Sequence, residues 1–374
     1  MAEKVSVLLA VPVAGDTALI ENTRNSIDAQ TYPQALIEVI QVDYVSTAPG
    51  ARVSALNAAR ETASGTYVIQ ADLGEVLDGH KVELQVDLLQ TYDEAAGCVH
   101  QMTGRQGGMN LSVVRNYGLL LGSLLGVPWH PGVAMLTREA MTELGAYRSI
   151  DESTWEYAVR MAGRGYELQL MEEDLSVWQG DVEPTRRLLI PNDVRHRFLT
   201  AYLTRMDVEA LFRKLSLVSM PNGHLVRGAL FHKNDDLETA HEICQQIDRE
   251  TGCAESSYWH GIIHRREPDF DNARGWFRKA EGLECNEALS QTVSSLLQQV
   301  IQQPDYGAAR EIALVFLRHL QAQGTWDALY LVGLCERVQK DDDGDLRRLL
   351  EEIQEVEFDT LFDWTFRKAV GEVG

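Results

Sequence analysis

The sequence predicts an α/β domain followed by an all-α domain. Three observations carry this expectation. Short apolar, β-rich runs alternate with amphipathic helical stretches up to about residue 182. From about Glu183 the strand signal vanishes. The remaining chain reads as successive helical stretches at hairpin spacing.

The elements follow in order. Val5–Val11 is a continuous apolar run, as expected of a parallel strand covered on both faces. Leu19–Gln30 has helical period and stops before Tyr32-Pro33. Ile37–Asp43 is a second strand, and Ala51–Ser64 an alanine-rich helix closed by Gly65. Tyr67–Ala71 is a third strand ending at Asp72, and Lys81–Thr91 a further helix. Strand–helix–strand order with short connections implies a parallel sheet. Ligands of such sheets sit at the carboxyl ends of the strands. This places Val11–Gly15, Asp43–Thr47 and Asp72–Glu75 on one rim. Gly104–Met109 reads as a loop, Val113–Leu125 as a helix, and Val127–Gly132 as a turn. Strand Val133–Leu136, helices Arg138–Leu144 and Ser153–Gly163, and strand Tyr166–Leu170 follow.

Residues 183–205 are expected to form a linking helix, with a break at Pro191, and 206–374 an all-helical, repeat-like domain. Expected helices are Leu237–Ile247, Ser257–Arg266, Phe270–Ala280, Leu289–Ile301, Ala308–Leu320, Trp326–Val338, Asp343–Ile353 and Phe358–Val370. Asp235–Ile247 and Asp269–Ala280 share a pattern at a spacing of roughly 34 residues, the length of a tetratricopeptide-type hairpin.

Composition narrows the function. Of 374 residues, 34 are basic and 56 acidic, a formal charge of −22. Such a chain has no global electrostatic footprint for nucleic acid or anionic lipid. The five cysteines are odd in number and form no Cys-x-x-Cys pair. A disulfide framework is therefore not expected, and a reducing cytoplasm fits. No apolar run reaches the ~18 residues of a transmembrane segment. The opening MAEKVSVLLAVPVAGD reads as a first strand rather than a leader, because Pro12 and Gly15-Asp16 interrupt it.

Four segments together resemble family 2 glycosyltransferases with a Rossmann-like, A-type nucleotide-sugar-binding fold. VSVLLAVPVAGD (Val5–Asp16) is similar to their first strand and nucleotide loop. LIENTRNSIDAQTYP (Leu19–Pro33) is similar to the following helix and its Gln-Thr-Tyr-Pro ending. IEVIQVDYVSTAPG (Ile37–Gly50) resembles the second strand with its Asp-Asp-x-Ser end. Ala51–Leu89 resembles the helix–strand–helix that presents an Asp-x-Asp motif. The resemblance implies transfer of a sugar from a nucleotide-sugar donor to a glycan, lipid or protein acceptor. It implies a nucleotide site at Pro12, Asp43, Ser46 and Asp72. It also implies a divalent cation, Mn²⁺ or Mg²⁺, to offset charge on the leaving phosphate. Asp72 matches the first Asp of the metal motif. The second is Gly74, so Glu75 is the substitute ligand. The base that takes the acceptor proton is expected in a Glu-Asp pair opening a helix. With Arg160 as anchor that pair falls on Ser153-Thr154, and a shift of two residues puts Asp151 and Glu152 there. Ser153 also reads as a helix cap, with Glu156 completing a capping box. The alternative is an inactive transferase fold acting as a ligand- or protein-binding module. Its rim would be filled by Tyr44 or by the Gly104–Met109 loop, with the helical domain as partner surface.

SYWHGIIHRREPDFDNARGWFRKA (Ser257–Ala280) resembles a Tyr-Trp-His-x3-His-Arg-Arg-Glu signature of otherwise uncharacterised helical proteins. His260 and His264 are four apart and share a helix face. Three readings stand: a metal-binding histidine pair, an anion site of two His with Arg265 and Arg266, or a structural cluster between hairpins. Asp341–Asp345 resembles a calcium loop in composition only.

Overall fold

The computed structural model describes residues 3–48, 50–103, 111–125, 131–148, 153–179, 196–213, 215–341 and 343–373. The chain divides into two units, Met1–Thr185 and Arg186–Gly374. The first is α/β and the described part of the second is all-helical.

In the first unit, β1 (Val5–Pro12) leads to α1 (Thr17–Asp28), β2 (Ile37–Tyr44), α2 (Ala51–Thr62), β3 (Tyr67–Ala71), β4 (Glu75–Leu77) and α3 (Lys81–Thr91). Then come β5 (Gly97–Thr103), α4 (Leu111–Leu124, broken at Gly118), β6 (Ala134–Thr137), α5 (Arg138–Leu144), α6 (Ser153–Gly163) and β7 (Leu168–Trp178). Among the described residues seven strands form one sheet in the order β2-β1-β3-β6-β5-β7-β4. β1 pairs in parallel with both β2 and β3, as expected. The rest corrects the expectation of a parallel sheet. β6 runs antiparallel between β3 and β5, and β4 is antiparallel to β7. The sheet is mixed.

Alternation along β1 shows why its run is apolar throughout. Leu8 and Ala10 join Leu56 and Ala59 of α2 and Met161 of α6 on one face. Val7, Leu9 and Val11 join Ile27 of α1 on the other. A sheet covered on both sides needs apolar residues at both parities. Asp16 caps α1 by accepting from the Ala18 N–H at 2.8 Å.

In the second unit the helices are α7 (Arg197–Arg205), α8 (Val208–Phe212), α9 (Met220–Lys233), α10 (Leu237–Thr251), α11 (Ala254–Arg266) and α12 (Phe270–Lys279). They continue with α13 (Asn286–Gln302), α14 (Ala309–Gln323), α15 (Ala328–Asp341) and α16 (Gly344–Val370). Of the span expected as a linking helix, 183–195 lie outside the described residues, and α7 covers Arg197–Arg205. The two last expected helices are one 27-residue helix, α16. Nothing between Ile353 and Phe358 breaks a helix, and Glu357 there is fully buried with partners on α11. α9 was not expected, since Pro221, Gly223 and Gly228 blur its period. Asp236 and Asp269 cap α10 and α12 in the same way, about 33 positions apart, and Ala240 and Ala273 occupy equivalent, fully buried positions. Asp343, in the calcium-like run, caps α16 through the Leu346 N–H. Among the described residues no helix is long and apolar enough to cross a membrane. All five cysteines are unpaired.

Candidate functional site

The parallel register of β1 and β2 pairs Val11 with Asp43 and Pro12 with Tyr44, and the Val13 N–H donates to the Tyr44 carbonyl at 2.9 Å. The ends of these strands therefore form a common rim. Pro12 is half-buried there, while Asp43 and Ser46 are exposed. Val13 and Val45, which follow the paired strand ends, are 72% and 57% exposed. Asp43 accepts from Gln41 Nε2 at 2.7 Å, and Arg24 donates to the other end of that amide.

Asp72 belongs to a different group on the same rim. Arg52, the second residue of α2, lies 2.5 Å away through a guanidinium nitrogen, and Gln70 Nε2 donates at 3.2 Å. The Arg52 and Asp72 side chains are 32% and 15% exposed. The carboxylate raises the pKa of the guanidinium, so Arg52 carries its charge at any ordinary pH. Tyr44 and Tyr147 lie near this pair. Burial pushes the phenol of each above its ordinary value, Asp72 adding to the rise and Arg52 opposing it. The structure thus gathers Tyr44, Arg52, Asp72 and Tyr147. Arg52 was missed by sequence reasoning. The signal for it is a cation in the first turn of a helix, where the helix dipole favours an anion.

The chain reverses after Asp72. The Glu75 N–H donates to the Asp72 carbonyl at 3.0 Å, and Gly74 has φ +95°, as the third position of a type II turn demands. The Gly74 N–H donates to Thr23 Oγ1 at 3.1 Å. An aspartate at 74 would be strained at this φ.

Glu75 is turned inward. Its side chain and that of Lys81 are both 0% exposed, with Lys81 Nζ 2.8 Å from Glu75 Oε1. Ser176 on β7 donates to the same oxygen at 2.6 Å, and Lys81 also donates to the Gly132 carbonyl at 2.5 Å. A β-carbon on Gly132 would stand 1.8 Å from Glu75 Oε2. Asp72 and Glu75 are therefore each held by a cation of the protein. A hard divalent ion takes six or more oxygen ligands, several from open carboxylates or water. A carboxylate sealed behind an ammonium group does not fit that donor set.

Asp151 and Glu152 lie outside the described residues, as does the Gly104–Met109 loop. Helix α6 does begin at Ser153. The side chain of Ser153 lies outside the described residues, and with it the expected capping box; the Glu156 carboxylate is held by Arg160 Nε at 3.0 Å and Arg148 at 3.0 Å. Arg160 in turn donates to the Ala146 carbonyl at 2.9 Å, fixing the segment after α5.

In the second unit the anion reading of the signature is overturned. Arg265 is buried against Glu357, Nη1 donating to Oε1 at 3.1 Å, and Tyr258 Oη donates to that oxygen at 2.6 Å. Arg266 pairs with Asp235 and donates to the His232 carbonyl at 3.0 Å. Both guanidinium groups are bound within the helical packing. His260 and His264 are joined by His241 of α10, which sequence reasoning did not connect to them. The His260–His264 and His260–His241 ring centroids are 4.9 and 4.4 Å apart. Burial and then the neighbouring rings push the His260 pKa down to about 3.

No family model and no curated protein matches the chain. Solved structures similar to it include S. aureus TarS, at 13% identity and TM-score 0.43, the match covering 74% of this chain and 55% of TarS. The chain thus spans about half the length of that TarS chain. TarS 1-349 in complex with UDP-GlcNAc matches at 13% identity and TM-score 0.42, covering 74% of this chain and 90% of that one. The mannosyltransferase PcManGT from Pyrobaculum calidifontis, in complex with GDP-Man and Mn²⁺, matches at 15% identity and TM-score 0.37, covering 75% and 84%. At these identities and scores the likeness is a distant one of backbone course.

Proposed function

We propose that the first unit binds a nucleotide-sugar at the carboxyl-end rim of β1, β2 and β3, as a glycosyltransferase-like domain. The observation that carries this reading is the Arg52–Asp72 pair on that rim. A partly exposed guanidinium, held in place by a carboxylate, is a fork suited to a diphosphate. The exposed Val13 and Val45, which follow the paired ends of β1 and β2, and the exposed Asp43 supply an apolar face and a hydrogen-bond acceptor for a nucleobase. Asp43, Ser46 and Pro12 remain the residues proposed around the nucleotide.

Arg52 supplies the positive charge at the phosphates. Asp72 acts by positioning Arg52, and no step is routed through a metal at Asp72 and Glu75. Transfer of the sugar needs a base at the acceptor hydroxyl, and Asp151 or Glu152 is proposed for it. A second reading, a fold that binds the donor without turnover, is favoured by the withdrawal of Glu75 into its ion pair with Lys81.

Calorimetric titration of UDP- and GDP-sugars into the full chain tests the binding. Saturable heat with one of them is expected, and no heat with any rejects the proposal. Product analysis with the bound donor then separates the two readings, free nucleoside diphosphate marking turnover.

A further inference from the structure

We propose that His241, His260 and His264 form a binding site for a divalent transition metal of the zinc class. His241 stands on α10, and His260 and His264 stand one turn apart on α11. One ring nitrogen from each lies within 4.8 Å of the others, and among the described residues no other group of three potential ligands is gathered so closely. An i,i+4 histidine pair with a third histidine from a neighbouring helix is a compact way to present three nitrogens to one ion.

His260 supplies the second observation. It is 1% exposed, yet neither Nδ1 nor Nε2 has a hydrogen-bond partner among the described residues. A buried polar group left without a partner is destabilising, and one with two such atoms is rarer still. Packing alone does not account for it, because an apolar side chain would fill the same space without orphaned nitrogens. The ring is not loose: it stacks on Trp276 with centroids 3.8 Å apart and planes 16° apart. A metal bond satisfies one of its nitrogens.

The His264 Nε2 lies 3.2 Å from Asn272 Nδ2. Its Nδ1 makes no hydrogen bond among the described residues, although the Glu267 carboxylate stands 3.2 Å away. A metal takes one of the two nitrogens, and with Nε2 on the metal Glu267 is close enough to receive the Nδ1 proton and orient the imidazole. Zinc–nitrogen bonds of about 2.0–2.1 Å place tetrahedral ligand atoms about 3.4 Å apart, so the site closes by side-chain rotations of about an ångström. Three imidazoles favour zinc, nickel, copper or iron over magnesium or calcium. They leave a fourth position for water or a small ligand. The adjacent cations Arg265 and Arg266 are neutralised by Glu357 and Asp235, so neither opposes the ion.

The test uses the tag-free full chain, stripped with EDTA and exchanged into metal-free buffer. Zn²⁺ is titrated by calorimetry, and Co²⁺ by visible absorbance. One Zn²⁺ per chain is expected, with a Co²⁺ ligand-field band that Zn²⁺ abolishes and no response to Mg²⁺. His260→Ala and His241→Ala should each weaken Zn²⁺ at least 100-fold while circular dichroism stays helical. His319→Ala, whose ring pairs with Asp327 elsewhere in the unit, should bind as the unaltered chain does. The Co²⁺ spectrum of the unaltered chain needs no variant, so a variant that fails to fold does not remove the test. Absence of stoichiometric Zn²⁺ binding at micromolar concentrations, or undiminished affinity in folded His260→Ala, overturns the proposal.

Discussion

Arg52 in the first turn of α2 lies 2.5 Å from the Asp72 carboxylate just past β3, and Lys81 at the start of α3 stands in the same relation to Glu75 at 2.8 Å. Each cation opposes the dipole of the helix it opens, and each is matched by an acid. The two pairs differ in exposure. Arg52 reaches the rim, whereas Lys81 is sealed beneath it. The first is therefore placed to meet a ligand and the second to hold the fold.

Replacing Arg52 tests that assignment. Arg52→Ala should weaken nucleotide-sugar binding at least tenfold, and Arg52→Lys should restore little, because an ammonium lacks the bidentate fork. Asp72→Asn should weaken binding less, since it frees the guanidinium without removing it. Calorimetry on the three variants checks the order. Equal affinity in Arg52→Ala would remove that residue from the site.

Lys81→Met should destabilise the first unit by about 3–5 kcal/mol, because it leaves Glu75 charged and buried without its ammonium. The double variant Glu75→Gln/Lys81→Met should recover much of the loss, read as the midpoint of urea unfolding. If Lys81→Met alone is neutral, the pair is not the buried unit described.

Gly132 is under the same constraint from its backbone. Gly132→Ala should destabilise by about 1–3 kcal/mol or more, since its β-carbon would meet the Glu75 carboxylate. Gly275→Ala, at an open position on α12 where a β-carbon would meet nothing beyond its own helix backbone and chain neighbours, should stabilise by about 1 kcal/mol. Thermal melts of the two variants should move in opposite directions, and parallel shifts would contradict the packing.

Glu38 gives the pH dependence. Burial alone would raise its pKa, but hydrogen bonds from Ser6, Ser64 and Lys4 outweigh that and hold it at about 2, against an ordinary 4.5. Between these values the unfolded chain binds the extra proton. Stability is therefore fully present above pH 4.5 and is lost as pH falls toward 2. Glu38→Gln should flatten the acid limb of the stability curve in that window. An unchanged slope would show that these hydrogen bonds do not tie Glu38 to the native state.

Much of this architecture was legible in the residues. β1, β2 and β3 show because strands covered on both faces are apolar without interruption, and α2 and α3 because their apolar positions recur at helical period. β5 did not show: its buried face includes His100, and Gln101 and Thr103 break the run. The sequence shows β7 only as far as Leu170, since Glu172, Glu173 and Asp174 are exposed along its middle. The antiparallel placement of β6 is a matter of pairing, which period cannot reveal. Asp72 could be named from its position after β3, but its partner lies twenty residues earlier on another element. His260 and His264 were visible as an i,i+4 pair, whereas His241 joins them only through the packing of α10 on α11.

The central claim is that the rim binds a nucleotide-sugar through Arg52 rather than through an ion at Asp72 and Glu75. It is tested most directly by titrating UDP- and GDP-sugars into the EDTA-treated chain and into Arg52→Ala. The expected result is saturable binding that survives EDTA and falls at least tenfold in the variant. Binding that requires added Mn²⁺ or Mg²⁺ and is indifferent to Arg52→Ala, or no binding at all, would contradict it.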